Sequence, residues 1–288
     1  MTADDFNDGR INRLIESALM EDAGLGDLTS DAIVPEEQRS EGVFLCKEDG
    51  IVAGVEVAAA VFALCDRTVA FDPLLHDGRP ASRKQVIARI NGSTRGILLG
   101  ERTALNFMQR MCGIATLTRR FVDAVAGTSA RITDTRKTVP GLRVLDKWAV
   151  RIGGGVNHRF GLDDMVLIKD NHILAAGGIP RAVQLCRNYL EAKGLNIPIE
   201  VETKNLDEVR EVMALTGIAR IMLDNFAVAD MKRAVETIAR SVEVEASGGV
   251  SLDTVRPIAE TGVDFISIGA LTHSVKALDI SLDLTRNV

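Results

Sequence analysis

Glu202, Asp224, Ala246 and Ile268 stand at a constant interval of 22 residues, and each marks the end of a short apolar run. Such an interval holds one strand, one helix and two loops, the content of a repeating βαβ unit. Apolar runs at Arg131–Thr133, Met165–Ile168, Ile197–Val201, Arg220–Leu223, Val242–Val244 and Phe265–Ile268 supply six strands, and helical segments separate most of them. Strands joined in this way run parallel, because a parallel connection has to cross over the sheet and has room for a helix. The rhythm shows no change of the kind that marks the switch point of an open doubly wound sheet, so the pattern predicts a closed α/β barrel. With six strands visible, it has fewer than eight.

The first third of the chain lacks this rhythm. A helical pattern at Ile11, Leu14, Ile15, Ala18 and Leu19 precedes extended runs at Val43–Cys46, Val69–Phe71 and Val86–Ile90, with Asp-Gly and Asn-Gly turn signals between them. This is an α+β pattern. A long helical stretch follows from about Gly96 to Ala126, with a break expected near Gly113.

Between Arg131 and Arg159 seven Lys/Arg residues face only Asp134 and Asp146, a local balance of +5 inside a chain of net charge −6, which leaves −11 elsewhere. Thr135, Pro140, Gly141 and Gly153-Gly154-Gly155 cut this stretch into short pieces, which a fold can gather around one small anion. An acidic chain with 4% aromatic residues offers neither the basic surface nor the stacking platforms of a nucleic-acid binder. A pocket for a polyanionic metabolite is the better reading. At 288 residues, 46% hydrophobic and 26% charged, the chain has the composition of a folded protein with one large core and a smaller domain. The apolar run Ala53–Cys65 is short and contains Glu56, and Met1-Thr2-Ala3-Asp4-Asp5 is acidic, so neither a membrane span nor a signal peptide is expected and the expected location is cytoplasmic. Cys46, Cys65, Cys112 and Cys186 show no CxxC spacing, which suits reduced, buried thiols.

In parallel α/β folds the carboxyl ends of the strands line the site. Here those ends read Arg136-Lys137, Lys169, Glu202, Asp224, Ser247-Gly248-Gly249 and Gly269-Ala270-Leu271. Each has an ordinary reading beside a functional one. Arg136 and Lys137 fit a solvated turn or an anion clamp. His158, which precedes Arg159, is as a lone histidine more often hydrogen-bonded scaffolding than a catalyst. Lys169 is paired with a carboxylate such as Asp170, holds a ligand anion, or is a Schiff-base nucleophile. Asp224 caps the helix that begins near Ala227, or joins Glu202 in holding Mg²⁺. Ser247-Gly248-Gly249 is a tight turn, or it opens a helix from Leu252 to Glu260 with its amides toward a phosphate. No GxxxxGK(S/T) and no strand-borne GxGxxG occurs, which speaks against P-loop and dinucleotide sites.

Seven stretches carry a resemblance that covers nearly the whole chain: GDLTS (Gly26 to Ser30), GERTALNFMQRMCGIATLTRRF (Gly100 to Phe121), DTRKTVPGLRVLDKWAV (Asp134 to Val150), GGGVNHRFGLDDMVLIKDNH (Gly153 to His172), IMLDNF (Ile221 to Phe226), EASGGVSL (Glu245 to Leu252) and SIGALTHS (Ser267 to Ser274). They resemble the quinolinate phosphoribosyltransferase family, also called carboxylating nicotinate-nucleotide pyrophosphorylase. Cys112 and Val139 stand where that family more often has Ser and Thr.

The resemblance implies an enzyme that joins quinolinate to phosphoribosyl pyrophosphate with Mg²⁺, releasing pyrophosphate and CO2 and forming nicotinate mononucleotide for NAD synthesis. It implies an N-terminal α/β sandwich, here 1–114 joined by 275–288, and an incomplete α/β barrel over 115–274. It implies a homodimer or higher homo-oligomer in which Arg102 reaches the neighbouring chain's site. Arg136, His158, Arg159 and Lys169 fall at the quinolinate positions. Lys137, Glu202 and Asp224 fall at those of the phosphoribosyl donor and its metal, Ser247, Gly248, Gly249, Gly269, Ala270 and Leu271 at its 5′-phosphate loops, and His273 beside them. Lys137, Lys169, Glu202 and Asp224 are the catalytic candidates. Three other readings stand beside this one: a phosphoribosyltransferase for a base with one acidic group, a Schiff-base aldolase using Lys169, and a phosphate-metabolite sensor without turnover.

Overall fold

The computed structural model describes residues 9–286, and the chain packs as two units. The first comprises the chain through Arg119, Thr138–Gly154 and the chain from Leu271 on; the second comprises Arg120–Lys137 and Gly155–Ala270.

The first unit is built on a four-stranded antiparallel sheet in the order β12-β1-β5-β3, with β1 at Arg39–Cys46, β3 at Ala70–Pro73, β5 at Val86–Ser93 and β12 at Ile280–Arg286. Burial alternates along β1, with Ser40, Gly42, Phe44 and Cys46 on the covered face, as a strand between solvent and a core requires. Helix α1 (Arg10–Ala23) buries Ile11 and Ile15, and α2 (Leu28–Ile33) starts at Asp27, whose carboxylate accepts the Thr29 and Ser30 amides at 3.1 Å each. Such a cap contributes about 1 kcal/mol. A two-stranded sheet, β2 (Gly50–Ile51) with β4 (Pro80–Ala81), flanks α3 (Val55–Cys65) in sequence. Phe62 of α3 packs against Phe44 edge-on at 5.9 Å and against Phe71 stacked at 5.8 Å, a cluster that ties helix to sheet.

Helix α4 runs unbroken from Thr94 to Ala124, where a break near Gly113 was expected. Gly113 is there because of a close approach. A Cβ at this position would lie 2.2 Å from the Lys276 carbonyl oxygen, so the residue makes room for a neighbouring backbone inside a continuous helix. Helix α5 (Arg143–Ile152) packs with the first unit, although the sequence division places it in 115–274. Arg110 of α4 grips the fully buried Asp146 of α5 through two bonds of 2.8 Å, and a Cβ at Gly153 would meet the Ala115 carbonyl oxygen at 2.6 Å.

The second unit carries the strand repeat. Its strands are β6 (Arg131–Thr133), β7 (Val166–Ile168), β8 (Ile199–Thr203), β9 (Arg220–Asp224), β10 (Glu243–Ser247) and β11 (Phe265–Ser267), all parallel in the order β6-β11-β10-β9-β8-β7. The connecting helices are α6 (Asp170–Ala176), α7 (Ile179–Ala192), α8 (Leu206–Met213), α9 (Val228–Ile238) and α10 (Val255–Ala259); α11 (Ala270–His273) follows β11 and, from Leu271 on, belongs to the first unit. All five residues of β8 are buried, Ile199 and Val201 on one face and Glu200 and Glu202 on the other. His158 Nε2 lies 3.1 Å from Glu200 of β8 and 3.4 Å from Glu245 of β10, so the sheet curls until strands separated by β9 face a common interior. The curl is that of a barrel with six strands. It carries no ladder between β6 and β7; on that side Val156 makes a single parallel bridge to Thr133.

Candidate active site

A cavity of about 660 Å³ opens at the carboxyl end of this sheet. Because side chains alternate along a strand, one face of each strand delivers its last residues to the mouth. Leu167 and Lys169 come from β7 and the residue after it, Glu202 from β8, Met222 and Asp224 from β9, Glu245 and Ser247 from β10, and Ser267 from β11. Thr135, Arg136 and Lys137 follow β6, and His158 and Arg159 complete the wall. Ten of the residues singled out in the sequence therefore line one space: Arg136, Lys137, His158, Arg159, Lys169, Glu202, Asp224, Ser247, Gly248 and Gly249. Gly269 and Ala270 belong to the same unit but are not among the lining residues, and Arg102, Leu271 and His273 belong to the first unit.

Cations dominate the wall, and two of them are held under strain of charge. Burial and then the like charge of Arg136 lower the Arg159 guanidinium from its ordinary value, while its Nη1 donates to the Met165 carbonyl at 3.0 Å. The Arg136 Nε is buried without a hydrogen-bond partner among the described residues. Two crowded guanidinium groups in a half-buried wall are stabilised by anions placed between them.

Lys169 Nζ donates to Glu202 Oε2 at 2.7 Å, whereas Asp170 takes Lys204 at 3.1 Å. An ammonium held by a carboxylate is a poor start for Schiff-base chemistry, which needs a neutral amine. Asp224 does not cap α9. The helix begins after Ala227 with no side-chain cap, and Asp224 Oδ2 instead accepts from Asn225 Nδ2 at 2.9 Å. Glu202 and Asp224 each keep a second oxygen outside these bonds, at the ends of neighbouring strands. Paired hard oxygen donors of this kind fit Mg²⁺, which takes one or two carboxylates together with phosphate oxygens and water.

The loop after β10 differs from expectation in one respect. The helix expected from Leu252 to Glu260 is only Val255–Ala259, six residues past Gly249, so no helix end stands behind the Gly248 and Gly249 amides. Their positive φ values, 98° and 59°, form a backbone turn in its own right.

Four residues of the site carry no expectation from sequence: Asp134, Glu200, Glu245 and Asn225. Asp134, fully buried, accepts the His158 amide at 3.0 Å and Asn157 Nδ2 at 2.5 Å, and so holds the segment that presents Arg159. Glu200 and Glu245, also fully buried, lie beneath the mouth. Their signal was period two: Glu200 stands two residues before Glu202 and Glu245 two before Ser247, hence on the same inward face. Burial by itself pushes the His158 imidazole down, but these two carboxylates outweigh it and hold the ring up at about 9. Burial and the proximity of Glu245 raise Glu200, while His158 and Arg220 overcome the burial of Glu245 and lower it, Arg220 Nη1 donating to it at 2.9 Å.

His158, Glu200 and Glu245 bring three metal-ligand atoms within 4.8 Å of one another. The ring argues against a metal there in either protonation state. Charged, it carries a proton on both nitrogens; neutral, with Nδ1 accepting the Arg159 amide at 2.7 Å, it keeps its proton on Nε2, the atom a metal would need bare.

Family models match both halves of the chain: that of the quinolinate phosphoribosyl transferase N-terminal domain over residues 27–112 and that of its C-terminal domain over 114–283. A chloroplastic carboxylating nicotinate-nucleotide pyrophosphorylase of Arabidopsis thaliana is 50% identical over 95% of this chain and 82% of its own. A mitochondrial decarboxylating quinolinate phosphoribosyltransferase of Nicotiana glauca is 49% identical with the same coverage. Among solved structures, the nicotinate-nucleotide pyrophosphorylase of Francisella tularensis superposes with a TM-score of 0.90 at 38% identity, covering 96% of each chain. With a two-domain match, half-identical relatives and a shared fold, the chain belongs to the quinolinate phosphoribosyl transferase family.

Proposed function

We propose that this protein transfers the phosphoribosyl group of phosphoribosyl pyrophosphate to quinolinate with loss of CO2, forming nicotinate mononucleotide and pyrophosphate in de novo NAD synthesis. The observation that carries the reading is the convergence of Arg136, Lys137, Arg159 and Lys169 on one cavity that also holds Glu202 and Asp224. Quinolinate brings two adjacent carboxylates and the donor a phosphate and a diphosphate. Their mutual repulsion has to be offset before they approach, and forked guanidinium groups with point-like ammonium groups do this in complementary ways.

Arg136, Arg159 and Lys169 bind the quinolinate carboxylates and direct the ring nitrogen at the anomeric carbon of the ribose. Lys137 and the Ser247–Gly249 turn hold the donor's phosphates. Glu202 and Asp224 hold Mg²⁺, which when bound neutralises charge on the departing pyrophosphate. As the C–O bond to pyrophosphate breaks and the N–C bond forms, positive charge builds on the ribose, and the same two carboxylates stabilise it. The ring nitrogen is then quaternary. Its positive charge stabilises the electron pair that stays on the adjacent ring carbon when CO2 departs, and a proton delivered to that carbon completes the product. Lys137 and Lys169 are the two ammonium groups at the cavity to supply it.

The 5′-phosphate contacts of Gly269, Ala270, Leu271 and His273 and the quinolinate contact of His158 belong to this proposal. So does a homodimer or larger assembly in which Arg102, exposed on α4, enters the neighbouring chain's site. A cytoplasmic setting belongs to the proposal too, and the free cysteines suit a reducing compartment of that kind. Among the described residues no helix is long and apolar enough to cross a membrane. The test supplies quinolinate, phosphoribosyl pyrophosphate and Mg²⁺ and follows CO2 and pyrophosphate together, with nicotinate as the comparison base. Equal release of both products from quinolinate is the expected result, and turnover of nicotinate in its place overturns the reading.

A further inference from the structure

Asn225 has a geometry that neither strand nor helix requires. Among the described residues four non-glycine residues have positive φ, and Asn225, at 55°, is the one of these that lines the site cavity. Asparagine enters this left-handed region more readily than most side chains, yet the conformation remains costly and persists where surrounding contacts hold it.

Three contacts do so. The Asn225 amide N–H donates to the Ser247 carbonyl at 2.8 Å, joining the residue after β9 to the last residue of β10, where the glycine turn begins. Its side-chain Nδ2 donates to Asp224 Oδ2 at 2.9 Å. Its Oδ1 lies where Gly248 has no side chain: a Cβ on Gly248 would stand 2.2 Å from that oxygen. Gly248 itself has φ of 98°. The asparagine amide and the glycine therefore interlock, and a side chain on Gly248 would expel that of Asn225.

We propose that Asn225 is a positioning residue that fastens the Asp224 carboxylate to the Ser247–Gly249 turn, so that the two ends of the phosphoribosyl donor are held in one register. The inference rests on the phosphoribosyl-transfer reading above. Asp224 serves the diphosphate and its metal, and the glycine turn serves the 5′-phosphate. A ribose joins these groups in the donor, so the protein elements that hold them have to keep a set spacing, and one side chain touching both supplies it.

The clean variant is Asn225→Gly, which keeps the left-handed backbone accessible and removes only the amide. Asn225→Asp keeps the shape, removes the donor and sets a second carboxylate against Asp224. Calorimetric titration with phosphoribosyl pyrophosphate, with and without Mg²⁺, is the primary readout, accompanied by KM for each substrate and the thermal midpoint. Loss of a hydrogen bond to a charged group weakens donor binding by about 10- to 150-fold. KM for quinolinate and the thermal midpoint stay near those of the parent, which a merely structural turn would not allow. Asn225→Asp binds the donor at least as weakly as Asn225→Gly.

Gly248→Ala supplies an independent check. In the parent it displaces Asn225 and weakens donor binding; in the Asn225→Gly background it costs less, because the clash is gone while the strain of positive φ at position 248 is unchanged. Equal donor affinity in Asn225→Gly and the parent overturns the proposal whatever the turnover assay shows, as does an equal cost of Gly248→Ala in both backgrounds. Failure of the parent to release CO2 and pyrophosphate together strikes the reaction assignment instead.

Discussion

Lys169 Nζ and Glu202 Oε2 lie 2.7 Å apart, joining the residue after β7 to the end of β8 across the mouth of the site. The lysine side chain keeps 45% exposure while the carboxylate keeps 8%, so the ammonium faces the cavity with its charge only partly spent on its partner. A dianionic ligand entering there meets a cation already fixed in place.

Truncation of Lys169 or of Arg159 to alanine removes a charge-assisted contact to that ligand. Quinolinate affinity is expected to fall by about 10- to 150-fold in each variant, measured by equilibrium titration. Near-parental binding by both variants would contradict their assignment as quinolinate ligands.

His158 makes stability depend on pH. Its folded value of about 9 lies above the ordinary histidine value of 6.5, so the charged ring stabilises the fold. That contribution is fully present below pH 6.5 and is lost as the pH rises through 9. The stability difference between the parent and His158→Gln, from urea melts at several pH values, should therefore shrink across this window. The Arg159 amide works in the opposite sense, since it needs Nδ1 without a proton. A difference that stays flat with pH would show that this bond wins and the ring remains neutral.

Gly113→Ala sets helix propensity against packing. Alanine in a helix interior gains about 1 kcal/mol over glycine. Here the added methyl would stand 2.2 Å from the Lys276 carbonyl oxygen, so the expected sign is destabilisation, read as a lower urea midpoint. A raised midpoint would mean that the chain near Lys276 yields easily.

Asp146→Asn weakens the Arg110 fork inside the first unit and leaves a guanidinium facing a neutral amide. Asp146 is buried while the Arg110 side chain keeps 23% exposure, so the expected cost lies above that of a surface bridge and below the about 3–5 kcal/mol of a fully buried pair, and chemical denaturation measures it. A loss below about 1 kcal/mol would place the pair with weak surface bridges.

Arg102 is the proposed contribution of one chain to another's site. Inactive Arg102→Ala and Lys169→Ala chains, mixed and reassembled, should recover part of the parental turnover, because some mixed sites then carry both cations. Verified mixed assemblies with no activity would argue that each chain completes its own site.

The amino-acid sequence by itself determined the strand repeat and the polar strand ends. Both follow from local rules: period-two burial within a strand, a crossover length that fits one helix, and a site at the carboxyl ends of parallel strands. Arg136, Lys169, Glu202 and Asp224 were legible as residues of one cavity for that reason, and the family motifs supplied the roles proposed for them. Partners were not legible. Lys169 pairs with Glu202, 33 residues away, and leaves its neighbour Asp170 to Lys204; Asp224 binds Asn225 and caps nothing. Gly113 resembles a helix breaker until the Lys276 backbone is beside it, and Glu200 and Glu245 resemble surface charge until the sheet curls around His158. Local propensity and period act over a few residues and can be read along the chain. Which charge meets which, and how near two backbones come, is decided by the curvature of the sheet and by close packing between distant segments, and those exist only once the chain has folded.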